Sequence, residues 1–316
     1  SKLVWERKVV VLKISGIHHI TAIVNDPQMT LDFYRDVLGL KLVKKTVNFE
    51  RPEVYHLYFG NSAGEPGSII TFFPWPKLIK GRVGTKQLGV TSYMIPKGSR
   101  AYWESRLQSK NITFRLVPRL DEDYIRFEDP AGLPIELVER EVSRPTTSST
   151  DEIDAKNAIQ GIAGAILYST QPLKTAVVLE NVLGMKFEKK STEYYRFTTT
   201  ESIGNTIDVK LSHPVRGLAG AGTVHHIAWR VKDKKELQKW HALLRDKGYE
   251  PTEIKDRKYF QSLYFEEDGE IMFEMATDLP GFTEDERKQE LGTKLMLPSW
   301  LEGRRKELEE ELPPIY

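Results

Sequence analysis

Residues Gly16–Leu42 read GIHHITAIVNDPQMTLDFYRDVLGLKL, and residues Gly161–Phe187 read GIAGAILYSTQPLKTAVVLENVLGMKF. The two rows align without a gap: Gly16 falls on Gly161, Pro27 on Pro172, and Val37–Gly39 on Val182–Gly184. Self-similarity of this kind marks a chain assembled from repeated supersecondary units. Each row opens on an apolar run suited to a buried strand. An apolar-periodic stretch follows, from Pro27 to about Leu38 and from Pro172 to about Leu183. Proline at its start and glycine just past its end punctuate a helix. Alternating, strand-like segments come next: Val54–Phe59 and Ile69–Phe73 in the first copy, Tyr194–Thr199 and Thr206–Leu211 in the second.

Two further units fill the gaps. Val224–Val231 reads as a strand, Lys234–Lys247 as a helix, and Phe260–Phe265 and Ile271–Met275 as strands. Leu88–Ile95, Ser99–Ser109, Tyr124–Phe127 and Pro134–Val138 give the same order. Their endings align too, RFEDPAGLPIE (Arg126–Glu136) over YFEEDGEIMFE (Tyr264–Glu274). The expected fold is therefore α+β, four βαβββ modules arranged as two tandem domains. Modules one and two occupy 1–140, a polar linker 141–157, and modules three and four 158–280. Residues 281–316 lie outside the repeat. Their charged stretch Trp300–Leu312, stopped by Pro313-Pro314, predicts a helical extension that packs on the body or steadies a dimer.

Composition narrows the function. With 316 residues, the length fits two domains at about 150 residues each. The 46 Lys+Arg and 45 Asp+Glu leave a formal charge of +1, with no basic excess to hold a phosphate backbone. No nucleic acid partner is expected. No apolar run approaches the roughly 20 residues that span a bilayer, and SKLVWERKVVVLKIS lacks a cleavage site. The expectation is a cytoplasmic protein without a membrane partner, with homo-oligomerisation left open. The absence of cysteine excludes disulfides, thiolate nucleophiles and Cys-ligated metals. Any metal must be held by nitrogen and oxygen.

Four of the seven histidines form two pairs, His18-His19 and His225-His226, each opening the first strand of a unit. From His19 to Asp26 is seven residues, as from His226 to Asp233. Were these histidines furniture of the repeat, all four units would tend to keep them. Unit three has Gly164 in the place of His19, and unit two has Val90 in the place of His226. Glu274 sits between apolar residues in the last strand of unit four, where a carboxylate needs a partner. Glu136 takes that place in unit two, without a histidine, and reads as a salt-bridged relic. His19, His226 and Glu274 together make a two-His, one-carboxylate set with open coordination positions, as in non-haem ferrous oxygenases.

These features resemble the vicinal oxygen chelate superfamily, which includes glyoxalase I, extradiol dioxygenases and bleomycin-resistance proteins. More narrowly, the stretches beginning HHITAIVNDPQMTLDFYRDVLGLKL, together with GTVHHIAWRVKD, DRKYFQSLYFEEDG and ATDLPGFTEDE, resemble hydroquinone-specific ring-cleaving dioxygenases similar to 2,6-dichlorohydroquinone 1,2-dioxygenase. The resemblance implies metal ligands at His19, His226 and Glu274. It implies supporting catalytic roles at His18, His225, Arg257 and Tyr264. It further implies Fe2+ (Mn2+, Zn2+ or Ni2+ as alternatives), a small aromatic substrate and O2. The family's Arg-x-Pro-Gly-Gly after the Tyr-Phe pair is replaced by Glu266–Glu270, a turn expected to be exposed and to bear on substrate preference. Arg257 would supply positive charge, Tyr264 a hydrogen bond or proton, and His18 or His225 ligand orientation or a proton shuttle. Tyr55, Phe72, Phe73 and Trp75 are candidates for an apolar pocket wall; His56 is a weaker candidate, and His213 and His241 read as surface residues.

Two other functions compete. One is a glyoxalase-like Zn2+ or Ni2+ lyase or isomerase. It would want a second carboxylate where unit one offers Phe72-Phe73. The other is a non-catalytic protein that sequesters an aromatic compound, for which a complete ligand set is unexpected. Because the proposed ligands come from both halves, residues 1–140 or 158–316 expressed alone should hold no stoichiometric divalent ion after dialysis. Metal retained by either half would count against a shared site.

Overall fold

A computed structural model describes residues 12–316; of the opening stretch, residues 1–11 lie outside the described residues. Unit one runs β1 (Ile17–Val24), α1 (Pro27–Leu31), β2 (Lys41–Val47), β3 (Tyr55–Gly60) and β4 (Ile69–Pro74). Unit two follows as β5 (Gln87–Pro96), α2 (Arg100–Ser109), β6 (Arg115–Arg119), β7 (Glu122–Glu128) and β8 (Pro134–Arg140). Unit three is β9 (Gly161–Tyr168), α3 (Pro172–Val177), β10 (Lys186–Lys190), β11 (Tyr194–Thr198) and β12 (Thr206–Lys210). Unit four is β13 (Thr223–Val231), α4 (Lys234–Asp246), β14 (Lys255–Asp256), β15 (Phe260–Glu266) and β16 (Met272–Pro280). None of the described helices is long and apolar enough to cross a membrane.

Local signals explain the entry and exit of each helix. Asp26 and Asp233, each seven residues after a paired histidine, cap α1 and α4 by accepting from Met29 N and Glu236 N at 2.9 Å. In units one and three the helix opens into a π-helical turn, Asp32–Val37 and Val178–Val182, closed by bonds from Leu38 N to Phe33 O and Leu183 N to Val178 O. The chain then reverses at Gly39 (φ 72°) and Gly184 (φ 78°), a backbone region that favours glycine.

The first strands are buried along almost their whole length, which suits the centre of a sheet rather than an edge. They pair across the halves of the chain. β1 runs antiparallel to β13, giving the order β14-β15-β16-β13-β1-β4-β3-β2. β5 runs antiparallel to β9, giving β10-β11-β12-β9-β5-β8-β7-β6. One sheet therefore combines units one and four, the other units two and three. Each curled eight-stranded sheet takes four strands from either side of the 141–157 linker.

The tail is tied to unit one. Lys44, fully buried on β2, donates to Asp285 Oδ1 at 2.6 Å and Glu286 Oε1 at 2.7 Å. Met296 N donates to Lys45 O, and Tyr55 Oη to Pro313 O. The helix predicted at Trp300–Leu312 begins as a 3-10 turn (Ser299–Arg304) and becomes α5 only at Arg305–Glu311.

A second set of contacts joins the units differently. Asp129 and Glu267 share one place in the repeat, the turn between the last two strands. Asp129 Oδ2 accepts from Tyr34 Oη (2.9 Å) beside α1, and Glu267 Oε2 from Thr175 Oγ1 (2.8 Å) on α3. The Glu266–Glu270 turn is thus not wholly exposed as its composition suggested. Glu267 is only 2% exposed, because unit three offers it a hydroxyl and Ile271 N a further donor. Burial pushes Asp129 up to about 6 and Glu267 up to about 7. A folded-state value above the unfolded one gives stability that is present below about pH 4.5 and lost as the pH rises through about 7. Glu267→Gln should therefore gain stability relative to the natural chain over that interval, by up to about 2–3 kcal/mol. Urea midpoints at pH 4.5 and 8 measure this; a pH-independent difference would refute it.

Candidate metal centre

The β1–β13 seam brings the two histidine pairs together. Its register sets Thr21 against His226 and His19 against Ala228, and β16 places Glu274 beside Ala228. His19 Nε2 lies 3.0 Å and His226 Nε2 2.8 Å from the same carboxylate atom, Glu274 Oε2. One ligand atom from each lies within 4.8 Å of the others, and all three residues are buried. Yet neither Glu274 oxygen, nor His226 Nε2, makes an aligned hydrogen bond. A buried carboxylate without hydrogen bonds is costly, and converging lone pairs are what a cation satisfies. The donor set fits a divalent metal ion.

Each ligand histidine is oriented by its neighbour. His18 Nε2 lies 3.0 Å from Thr277 O, which can only accept, so that nitrogen carries the proton. His18 Nδ1 must then accept from His19 Nδ1 at 2.8 Å, which leaves the His19 Nε2 lone pair facing Glu274. The second pair repeats the contact, His225 Nδ1 to His226 Nδ1 at 2.8 Å. Burial, then the adjacent ligand histidine, lowers His18 to about 3. That imidazole is neutral at physiological pH, as an orienting acceptor requires.

A cavity of about 280 Å³ opens over the ligands. Phe49, Tyr58, Phe73, Trp75 and Phe260 supply its aromatic wall, with His56, Arg257 and Tyr264 among its polar groups. Arg257 Nε donates to Tyr264 Oη at 3.2 Å and Nη1 to Glu50 Oε1 at 2.8 Å. Tyr264 is the cross-strand partner of Glu274. Burial and the Glu274 charge push its phenol above the usual range, Arg257 opposing. Strand alternation sorts the aromatics. Phe73 and Trp75 line the cavity, but Phe72 packs 4.4 Å from the Tyr34 ring in the core, and Tyr55 points toward the tail. His213 stacks on Tyr168, and His241 lies on α4, both outside the cavity lining.

Register also revises two sequence expectations. β1 pairs Thr21 with Thr71 as β13 pairs Ala228 with Glu274. The unit-one equivalent of Glu274 is therefore Thr71, not Phe72-Phe73. Its hydroxyl bonds Thr21 Oγ1 (2.7 Å) and His56 Nε2 (2.9 Å), which gives His56 a defined place beside the ligands. In unit three the same position is Asp208, set against Ile166. The other sheet thus holds two carboxylates, Glu136 and Asp208, where sequence reading found one. The missed signal was the strand register, which the gapless sequence match did not extend to.

Arginines occupy that second site. Arg119 bonds Glu136 (Nη1 to Oε2, 3.2 Å) and Asp208 (Nε to Oδ2, 2.7 Å); Arg126 bonds Glu136 and Arg196 bonds Asp208, each at 2.7 Å. With Val90 and Gly164 in place of the histidines, the carboxylates are neutralised internally.

Two βαβββ pairs of like strand order, with a candidate metal-ligand set between the outer units, define a vicinal-oxygen-chelate-type fold. A family model for the Glyoxalase/Bleomycin resistance protein/Dioxygenase superfamily matches residues 16–88 and 166–275, and the chain belongs to this superfamily. It is 50% identical over 303 residues to the "Putative ring-cleaving dioxygenase MhqO" of Bacillus subtilis (strain 168), covering 96% of this chain and 97% of that one. It is 31% identical over 310 residues to the chlorohydroquinone/hydroquinone 1,2-dioxygenase of Sphingobium indicum, covering 94% and 95%. A crystal structure from Bacillus subtilis subsp. subtilis str. 168 superimposes with a TM-score of 0.95 at 49% identity, covering 97% of this chain and 99% of that one. Maize glyoxalase I, 14% identical over 88% of this chain and 96% of its own, shares the fold with a TM-score of 0.63.

Alanine at His19, His226 or Glu274 should each abolish stoichiometric divalent metal. Glu136→Ala should leave metal content intact but cost about 3–5 kcal/mol of stability, because Arg119 and Arg126 lose their buried partner. Metal analysis after dialysis and urea unfolding separate the two effects.

Proposed function

We propose that this chain is an Fe(II)-dependent extradiol-type dioxygenase that opens the ring of hydroquinones with O2. The observation that carries the reading is the three-ligand set beneath an aromatic-walled cavity, with Thr71 rather than a fourth protein ligand beside it. The names of the relatives support the reaction class and the substrate class. A ferrous ion, when bound, supplies the electron transfer that lets O2 react with an aromatic ring.

The chain's own residues do the rest. His19, His226 and Glu274 hold the ion on one face; His18 and His225 fix the ring orientation of the two imidazoles. The aromatic wall excludes water and stacks against the substrate. A benzene ring fits a void of about 150 Å³, so about 280 Å³ accommodates one substituted ring. The raised Tyr264 phenol stays protonated and donates to the anionic oxygen of a bound hydroquinone. Arg257, positive at every relevant pH, stabilises that oxygen through Tyr264 and its own field. A lyase using a second carboxylate as fourth ligand is disfavoured, since Thr71 stands at that place.

Anaerobic reconstitution with Fe2+, Zn2+ or Ni2+, followed by hydroquinone, catechol or a methylglyoxal–thiol adduct, tests the reading. Oxygen uptake is expected with hydroquinone and iron; no uptake with any ring substrate would overturn it. Tyr264→Phe should lower kcat by about 10²-fold with metal content unchanged.

A further inference from the structure

The two sheets hold an arginine at the same place. β6 pairs Val117 with Tyr124, and β14 pairs Lys255 with Ser262. Arg119 lies seven residues before Arg126, and Arg257 seven before Tyr264, the residue that aligns with it. Their targets are equivalent too, Glu136 in one sheet and Glu274 in the other. Arg119 takes its glutamate, in a pair buried on both sides. Arg257 does not: its guanidinium is bonded to Tyr264 and Glu50, and the Glu274 oxygens are left without hydrogen bonds.

Glu50 is presented by a braced loop. Asn48 Oδ1 accepts from the backbone N–H of Glu50 (3.0 Å) and of Arg51 (3.1 Å), and Asn48 N donates to Val54 O. Arg51 lies 5.3 Å over the Trp75 ring. The loop belongs to unit one and Arg257 to unit four, so the pair crosses the mouth of the cavity.

We infer that Glu50 is a positioning residue that holds the Arg257 guanidinium away from Glu274 and so keeps the metal carboxylate free for the ion. The inference rests on the metal-centre reading above. Without Glu50, Arg257 is free to follow Arg119 and close an internal ion pair with Glu274. A divalent cation must then displace it.

The test is the Kd for Co2+, read from its d–d bands in the full chain, in Glu50→Gln, Glu50→Asp, Arg257→Met and the double variant Glu50→Gln/Arg257→Met. Glu50 is 62% exposed, so its substitution leaves the fold intact. Glu50→Gln should weaken Co2+ binding by about two- to fivefold, the range of a partly exposed ion pair. Glu50→Asp should restore part of it. In the Arg257→Met background, Glu50→Gln should change nothing. An unchanged Kd in Glu50→Gln, or equal weakening with and without Arg257, overturns the inference while leaving the metal centre standing. A natural chain that binds no Co2+ overturns both.

Discussion

The antiparallel contact of β1 with β13 is the constraint on which the rest of the molecule depends. It joins the first unit to the last and sets both histidine pairs at one point of one sheet. Glu274 arrives from the neighbouring strand, at a distance at which both imidazoles face a single oxygen. No local segment contains this site. It exists only when strands from both ends of the repeat lie side by side.

The second sheet shows what the same scaffold does without a metal. There, equivalent positions carry Val90, Gly164, Glu136 and Asp208, and the carboxylates are met by Arg119, Arg126 and Arg196. Carboxylates in the interior of either sheet must be compensated; arginines do so in the second sheet, while the first leaves Glu274 facing two imidazoles in a set that fits a metal ion. A metal ion leaves exchangeable positions for a substrate; a guanidinium fork does not. The sheets are otherwise built alike, so the difference in chemistry traces to a few side chains. The turns at Asp129 and Glu267 then bind each sheet to the helix of a unit from the other. The two curled sheets are locked together by the same repeat that generates them.

Much of this was legible in the sequence. The gapless match of Gly16–Leu42 with Gly161–Phe187 predicts the units, and the uneven distribution of His18-His19 and His225-His226 singles out His19, His226 and Glu274. The helix caps at Asp26 and Asp233 explain a spacing that the sequence displays without a reason. What escaped was whatever depends on register. Thr71 and Asp208 occupy the carboxylate position, but a one-residue slip in a strand exchanges cavity-facing and core-facing residues, so Phe72 was misplaced by one. The burial of Glu267 escaped for a related reason. An acidic turn reads as solvent-facing, and only a hydroxyl from another unit, Thr175, makes its interior position tolerable. Glu50 gave no signal at all, since a single glutamate in a polar loop acquires meaning only from the arginine opposite it.

The separation of the ligands along the chain bears on how the protein is made. His19 is synthesised 255 residues before Glu274. At about 5–20 residues per second, translation between them takes on the order of tens of seconds. Throughout that time the unfinished chain owns a histidine pair but no carboxylate to complete the set. The set of three donors is therefore incomplete until unit four has left the ribosome. A translation product that stops short of β16 carries the paired histidines but not the carboxylate they face.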